Sequence, residues 1–290
     1  MKKKAMAKLL SSMIIFASIG IIRRGIDMPS VVLVFFRAFI GFVFLYIYSK
    51  IYNKKLNKTA IKNNIAILIL SGVFLSLNWI FLFEAFQYTS VSVATLLYYL
   101  APILAIIIST FVFRERLTYR EVGLTLLAML GMILLSAIYS QEVRGTKGMV
   151  FALIAAGFYS LVIILNKYLK YIDSFDSTLT QLCVAAIFMF IYLIITEQIN
   201  FHKVDSKSII LTLVLGIVHT GLSYLLYFDS ISSLPAKVVA IFSYLDPILA
   251  LIFSTIFLGE SLSISQILGV ILLLSSMILL ELGRIQNKEI

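Results

Sequence analysis

Three ionisable side chains interrupt long apolar stretches of this 290-residue chain: Arg37, His219 and Asp246. Asp246 is the sharpest of them, because it directly precedes Pro247. A proline has no backbone N–H to give, so it leaves a carbonyl free one turn earlier and can kink a helix. A carboxylate beside such an opening can exchange a proton or attract a cationic amine. Its competing role is local, in a hydrogen bond with the loosened backbone or an ion pair with Arg37. Arg37 carries a planar fork suited to a carboxylate. Its long stem equally lets it snorkel to the outer surface or pair with an acid, and the sequence alone favours a structural role there. His219 suits a proton or substrate contact, but a lone histidine makes no metal site.

An aromatic set accompanies these groups: Trp79, Tyr98, Tyr99, Tyr159, Tyr224 and Tyr244, with Asn78 and Ser243 as polar neighbours. Aromatic faces with a few hydroxyls suit an amphipathic small molecule, and hold an ammonium by cation–π attraction. Trp and Tyr also collect at membrane interfaces. That explanation fits Tyr88, Tyr119 and Tyr139 near the ends of apolar stretches better than Tyr98 or Tyr244. Cys183, the single cysteine, reads as a small buried hydrophobe. There is no metal-ligand spacing, His-rich acid motif or nucleophile–base pair, so neither an enzyme nor a cofactor is expected.

The elements that must position these residues are membrane helices. The chain is 61% hydrophobic and 13% charged, whereas soluble domains carry about 25% charged residues. Apolar runs of the length that crosses a hydrocarbon core predict ten spans. They lie at 6–22, 31–51, 65–83, 93–112, 119–139, 148–166, 178–196, 208–228, 237–258 and 264–283. The basic N-terminus before residue 6 also suits a signal peptide. An uncleaved first span is preferred, since its loss would leave an odd number of spans.

Net charge is +10, which invites a nucleic-acid partner until the charges are placed. With the N-terminus inside, the inner segments hold Lys2, Lys3, Lys4 and Lys8, then Lys50, Lys54, Lys55, Lys58 and Lys62, then Arg114, Arg116 and Arg120, and further Lys167, Lys170, Lys237, Arg284 and Lys288. The outer ones hold only Arg23, Arg24, Arg144, Lys147, Lys203 and Lys207. Lysine and arginine follow the positive-inside bias, so both termini are expected in the cytoplasm and no nucleic acid is expected as partner.

Residues 77–118 align without a gap on 222–263, an offset of 145 residues. Phe83 meets Phe228, Glu84 meets Asp229, Tyr99 meets Tyr244, Pro102 meets Pro247, Ser109-Thr110 meets Ser254-Thr255, and Glu115 meets Glu260. The same register pairs Asn78-Trp79 with Ser223-Tyr224, Tyr98-Tyr99 with Ser243-Tyr244, and Ala101 with Asp246. Five spans per copy is an odd number, so the second copy enters the membrane upside down, as in many secondary transporters with a site at the midplane. The expected fold is an all-α membrane protein of ten transmembrane helices, in two inverted five-helix repeats (1–143 and 144–290) around a central cavity. Glu115 and Glu260 precede two capping boxes, Thr118-Tyr-Arg-Glu121 and Ser263-Ile-Ser-Gln266, and are assigned to structure.

With a mid-span proline followed by Ser-Thr and then Glu-x-Leu-Ser/Thr in each half (Glu115-Arg116-Leu117-Thr118 and Glu260-Ser261-Leu262-Ser263), the chain resembles the EamA-type family of the drug/metabolite transporter superfamily over nearly its whole length. The resemblance implies a basket-like helical fold with a central cavity, and substrates such as amino acids, other metabolites or drugs, often exported. The expected mechanism is alternating access in a bacterial inner membrane, with amino acids, amines or related amphipathic compounds as the substrate class. Membrane lipids are the other expected partner, and protons are a candidate coupling ion through Asp246. A lipid flippase is the competing reading.

Overall fold

The computed structural model describes residues 2–101, 104–105, 107–108, 119–135, 145–196, 205–231, 245–259 and 263–286. Among them all regular structure is helical. The first predicted span is two helices, α1 (Lys2–Ala17) and α2 (Ile19–Arg24), separated at Ser18. Then follow α3 (Ser30–Ile51), the short α4 (Lys58–Asn63), α5 (Ile65–Tyr88), α6 (Val91–Tyr98) and α7 (Tyr119–Leu135). The second half begins with α8 (Thr146–Lys167), α9 (Ser174–Ile195) and α10 (Ser206–Gly216). α10 runs through a π-helical turn (Ile217–Leu222) into α11 (Ser223–Ile231), and α12 (Leu245–Leu258) and α13 (Ile264–Gln286) complete the described chain.

Among the described residues, six helical stretches of 21 to 24 residues are long and apolar enough to cross a membrane. At about 1.5 Å per residue they match a hydrocarbon core of roughly 30 Å. Their outer faces explain why the medium is lipid. α9 buries Leu182, Ala185, Ala186 and Met189, yet exposes Ile187, Phe190, Ile191, Ile194 and Ile195. Both sides of that helix are apolar, and only a non-aqueous surrounding makes this tolerable. The remaining predicted spans, 93–112, 119–139, 237–258 and 264–283, fall partly outside the described residues; their described parts are α6, α7, α12 and α13.

Local chemistry sets several boundaries. Ser90 caps α6 by accepting from the Val93 amide (3.2 Å), and Asn57 caps α4 from Ala60 (3.0 Å). Asp205 caps α10 from Ser208 (3.1 Å), and the hydrogen bonds from Ser208 hold its carboxyl below the usual range. The capping box read at α13 is present: the Ser263 amide donates to Gln266 Oε1 (2.9 Å) and the Gln266 amide donates back to Ser263 Oγ (3.3 Å). Its counterpart at Thr118–Glu121 lies outside the described residues, apart from Tyr119–Glu121 in α7. The third span reaches Tyr88, five residues beyond its predicted end.

The helices run up and down, which their end contacts make visible. At one end the α4–α5 junction is tied to the α8–α9 loop: Asn64 donates to the Lys170 carbonyl and accepts from the Lys170 amide (both 3.0 Å). Lys54 pairs there with Asp173 (2.9 Å), and Lys8 with Asp229. At the other end Arg24 donates to the Thr89 carbonyl, and the Asp27 amide donates to Ser208 Oγ (2.8 Å). Helix pairings recur at the sequence offset. α5 packs along α8 as α11 packs along α1; α6 also packs on α8 and α12 on α1, although the 145-residue register sets the mate of α6 at 236–243, outside the described residues. α3 against α9 and α7 against α13 pair corresponding helices of the two halves.

Candidate functional site

Side chains from both halves surround one cavity of about 330 Å³. From the first half, α1 and α2 give Met13, Phe16 and Gly20, α3 gives Arg37, α5 gives Leu75, Trp79, Leu82 and Phe86, and α6 gives Thr95 and Tyr98, with Tyr99 just beyond its end. From the second half come Tyr159 and Ile163 of α8, Tyr224 and Tyr227 of α11, and Asp246 and Ala250 of α12. The wall is mostly apolar and aromatic with a few polar groups, the composition expected of a small-molecule site.

Two aromatic groups stand on it. Tyr98 meets Tyr99 edge-on (centroids 5.9 Å apart, 76° between planes) and lies 5.4 Å from Tyr159. Phe16 lies 5.7 Å from Tyr224 and 6.4 Å from Tyr227. The same cavity holds two charged groups, Arg37 and Asp246. Asp246 accepts a hydrogen bond from the Tyr99 hydroxyl. That residue stands where α6 stops: Tyr99 and Leu100 form a turn, with the Leu100 amide bonded to Leu97 rather than one residue earlier (3.1 Å). Pro102 follows in the sequence and has no amide to return to Tyr98, which accounts for a break at that point.

Arg37 is 3% exposed, so it does not snorkel to a surface. Its guanidinium carbon lies 4.1 Å from the Trp79 ring centroid and 5.3 Å from that of Phe83, and Nε donates to Thr220 Oγ1 (3.0 Å). The Arg37–Asp246 ion pair open at the sequence level is not formed: among the described residues each group has other partners. Stacking on Trp79 supplies some of the stabilisation that a counter-ion would, on the order of 2 kcal/mol for a desolvated pair.

Of the residues picked from sequence, Arg37, Trp79, Tyr98, Tyr99, Tyr159, Tyr224 and Asp246 line this cavity. Two do not. Asn78 turns to α8, donating from Nδ2 to the Ala155 carbonyl (2.8 Å). His219 sits behind the wall on the π-helical turn, with Nε2 2.9 Å from Ser18 Oγ and Nδ1 3.3 Å from the Val214 carbonyl oxygen. It therefore joins the break in the first span to the irregular turn of the eighth. Ser243 and Tyr244 lie outside the described residues. Sequence reasoning missed Phe16, Thr95 and Tyr227. Tyr227 had a signal, since it follows Tyr224 by three positions and shares its helix face; its repeat mate Leu82 also lines the cavity.

Comparison with known proteins agrees with a membrane carrier. The profile of the EamA-like transporter family matches residues 3–137 and again 146–282. A relative from Bacillus subtilis (strain 168), "Uncharacterized transporter YxxF", is 32% identical over 296 residues, covering 99% of this chain and 92% of its own. An "Uncharacterized transporter" of Clostridium kluyveri is 24% identical over 231 residues, covering 76% of this chain and 73% of its own. A protein of known crystal structure superposes with a TM-score of 0.67 at 16% identity, over 97% of both chains, a likeness of fold alone.

Proposed function

The chain belongs to the EamA-like transporter family, and from that premise we propose that it moves small amphipathic metabolites across a bacterial inner membrane by alternating access. Amino acids, amines and related compounds are the substrate class. The observation that carries this reading is the cavity, walled by helices of both halves and containing a carboxylate and a guanidinium held by different partners. A substrate ammonium would compete with Tyr99 for Asp246, and the tyrosines would take its apolar body. Export is the direction proposed, with both termini in the cytoplasm and protons as the coupling ion through Asp246.

Two inverted repeats, 1–143 and 144–290, are part of the proposal. The paired packing of α5 on α8 and α11 on α1 supports them, as do the two matches of one family profile, one in each half. An inverted pair offers a simple route to two access states, because each half can take the conformation of the other.

The test begins with melting of the purified protein against amino acids, amines and nucleosides. Compounds that raise the midpoint are then followed by counterflow in proteoliposomes. Uptake above that of protein-free vesicles is expected. Binders that never accumulate above the empty control would end the transporter reading.

A further inference from the structure

Arg37 is nearly fully buried, yet its terminal nitrogens have no hydrogen-bond partner among the described residues; its one bond is from Nε to Thr220. Neither terminal nitrogen is among the fully buried unpaired atoms, so both remain open to an acceptor in the cavity that Arg37 lines. The fork borders the cavity, whereas Nε is turned away from it to α10–α11. What fixes that orientation is the π-helical turn. Thr220 Oγ1 accepts from Arg37 and donates to the Leu215 carbonyl five residues back (3.1 Å), so the hydroxyl proton is committed and the lone pair faces Nε. The Thr220 methyl in turn lies against Gly41 of α3, where a Cβ would come within 2.6 Å of it. The two elements are close enough that the threonine cannot swing aside. Wide turns of this kind often mark functional sites.

We infer that Thr220 is a positioning residue that aims the Arg37 fork into the cavity, where it receives the carboxylate of the substrate. A guanidinium held at Nε and stacked on Trp79 has its two remaining nitrogens in one plane, the geometry of a bidentate carboxylate pair. A phosphate dianion is a poorer fit. It would bring two negative charges to one cation with Asp246 in the same cavity, whereas a carboxylate with an ammonium balances both groups. This inference rests on the cavity being the substrate site.

The chain has a single tryptophan, and it stacks on Arg37, so tryptophan emission excited beyond the tyrosine absorption band reports on this one place. Purified wild-type protein is titrated with 3-phenylpropionate, phenethylamine and phenylalanine, then compared with Thr220→Val and Thr220→Ser. Both carboxylates are expected to change the Trp79 emission. Thr220→Val, which keeps the shape and loses the acceptor, should weaken both by about tenfold, the scale of one hydrogen bond to a charged group. Phenethylamine binding should be unmoved, and Thr220→Ser should restore the carboxylates. A purely structural threonine would weaken all three probes alike, and that result overturns the inference. So does a wild type that responds to neither carboxylate, or a Thr220→Val that binds them as tightly. Counterflow on the same preparation separates the two claims: carboxylate binding without transport refutes the transporter reading alone, and transport without carboxylate preference refutes this one alone.

Discussion

The hydroxyl of Tyr99, at the end of α6, donates to the carboxylate of Asp246, in the first turn of α12. The two residues come from opposite halves of the chain and both border the cavity. Their bond therefore joins the halves at the place where a substrate would sit. A hydrogen bond to a charged group is worth about 1.5–3 kcal/mol net. Tyr99→Phe, which keeps the ring, is expected to lower stability by about that amount, read as a fall in melting midpoint in detergent. The loss should largely vanish in an Asp246→Ala background, which removes the acceptor, since partners in contact are not additive. Effects that simply add in the double variant would show that the two groups are not coupled.

Asp246→Asn tests coupling to protons. Asparagine keeps the size and still accepts from Tyr99, but has no proton to exchange. Uptake driven by an imposed pH gradient should drop to the level seen without a gradient, while exchange of substrate at equal pH persists. Gradient-driven accumulation equal to wild type would remove Asp246 from the coupling path.

The proposed membrane orientation rests on the lysines. Lys62 stands on α4, at the end carrying Lys54 and Lys58, and Lys147 is in the first turn of α8 at the other end; both are exposed. In a Cys183→Ser background, Lys147→Cys is expected to react with an impermeant maleimide in whole cells. Lys62→Cys should react only after the membrane is opened. The reverse pattern would invert the topology, and equal labelling in intact cells would refute the positive-inside argument.

How much of this was legible in the residues divides along physical lines. Apolar run length located the long helices, because the thickness of the hydrocarbon core fixes that length. Trp79 and Tyr224, paired by the 145-residue register, and Asp246, marked by Pro247, do line one cavity, as the proposed repeat would have it. Facing was the weak point. Asn78 and Trp79 are adjacent, yet only Trp79 reaches the cavity, and a helix apolar on every side gives no pattern to say which neighbour turns inward. His219 likewise stands outside the lining, on the π-helical turn. The break at Ser18 and the π-helical turn carry no proline, so no residue announces them, and Thr220 as the partner of Arg37 depends on that turn.

Glycine positions give the sharpest stability test of the packing. A Cβ on Gly131 of α7 would fall 2.8 Å from the Gly269 carbonyl oxygen and 2.9 Å from the Leu273 amide nitrogen of α13. These are backbone atoms that cannot rotate away, so Gly131→Ala must push two helices apart. Gly72→Ala meets Val184 at 2.7 Å and the Gln181 carbonyl at 2.8 Å, which forces α5 from α9 in the same manner. Each is expected to cost about 1–3 kcal/mol, the usual range for overpacking. Gly157 of α8 has nothing within 4 Å of its added carbon. Gly157→Ala should therefore stabilise by about 0.5–1 kcal/mol through helix propensity alone. Melting midpoints of the three variants in one detergent decide the matter. If Gly131→Ala melted at or above wild type, the close approach of α7 to α13 would be wrong, and with it the pairing of the last helix of one half against the last helix of the other.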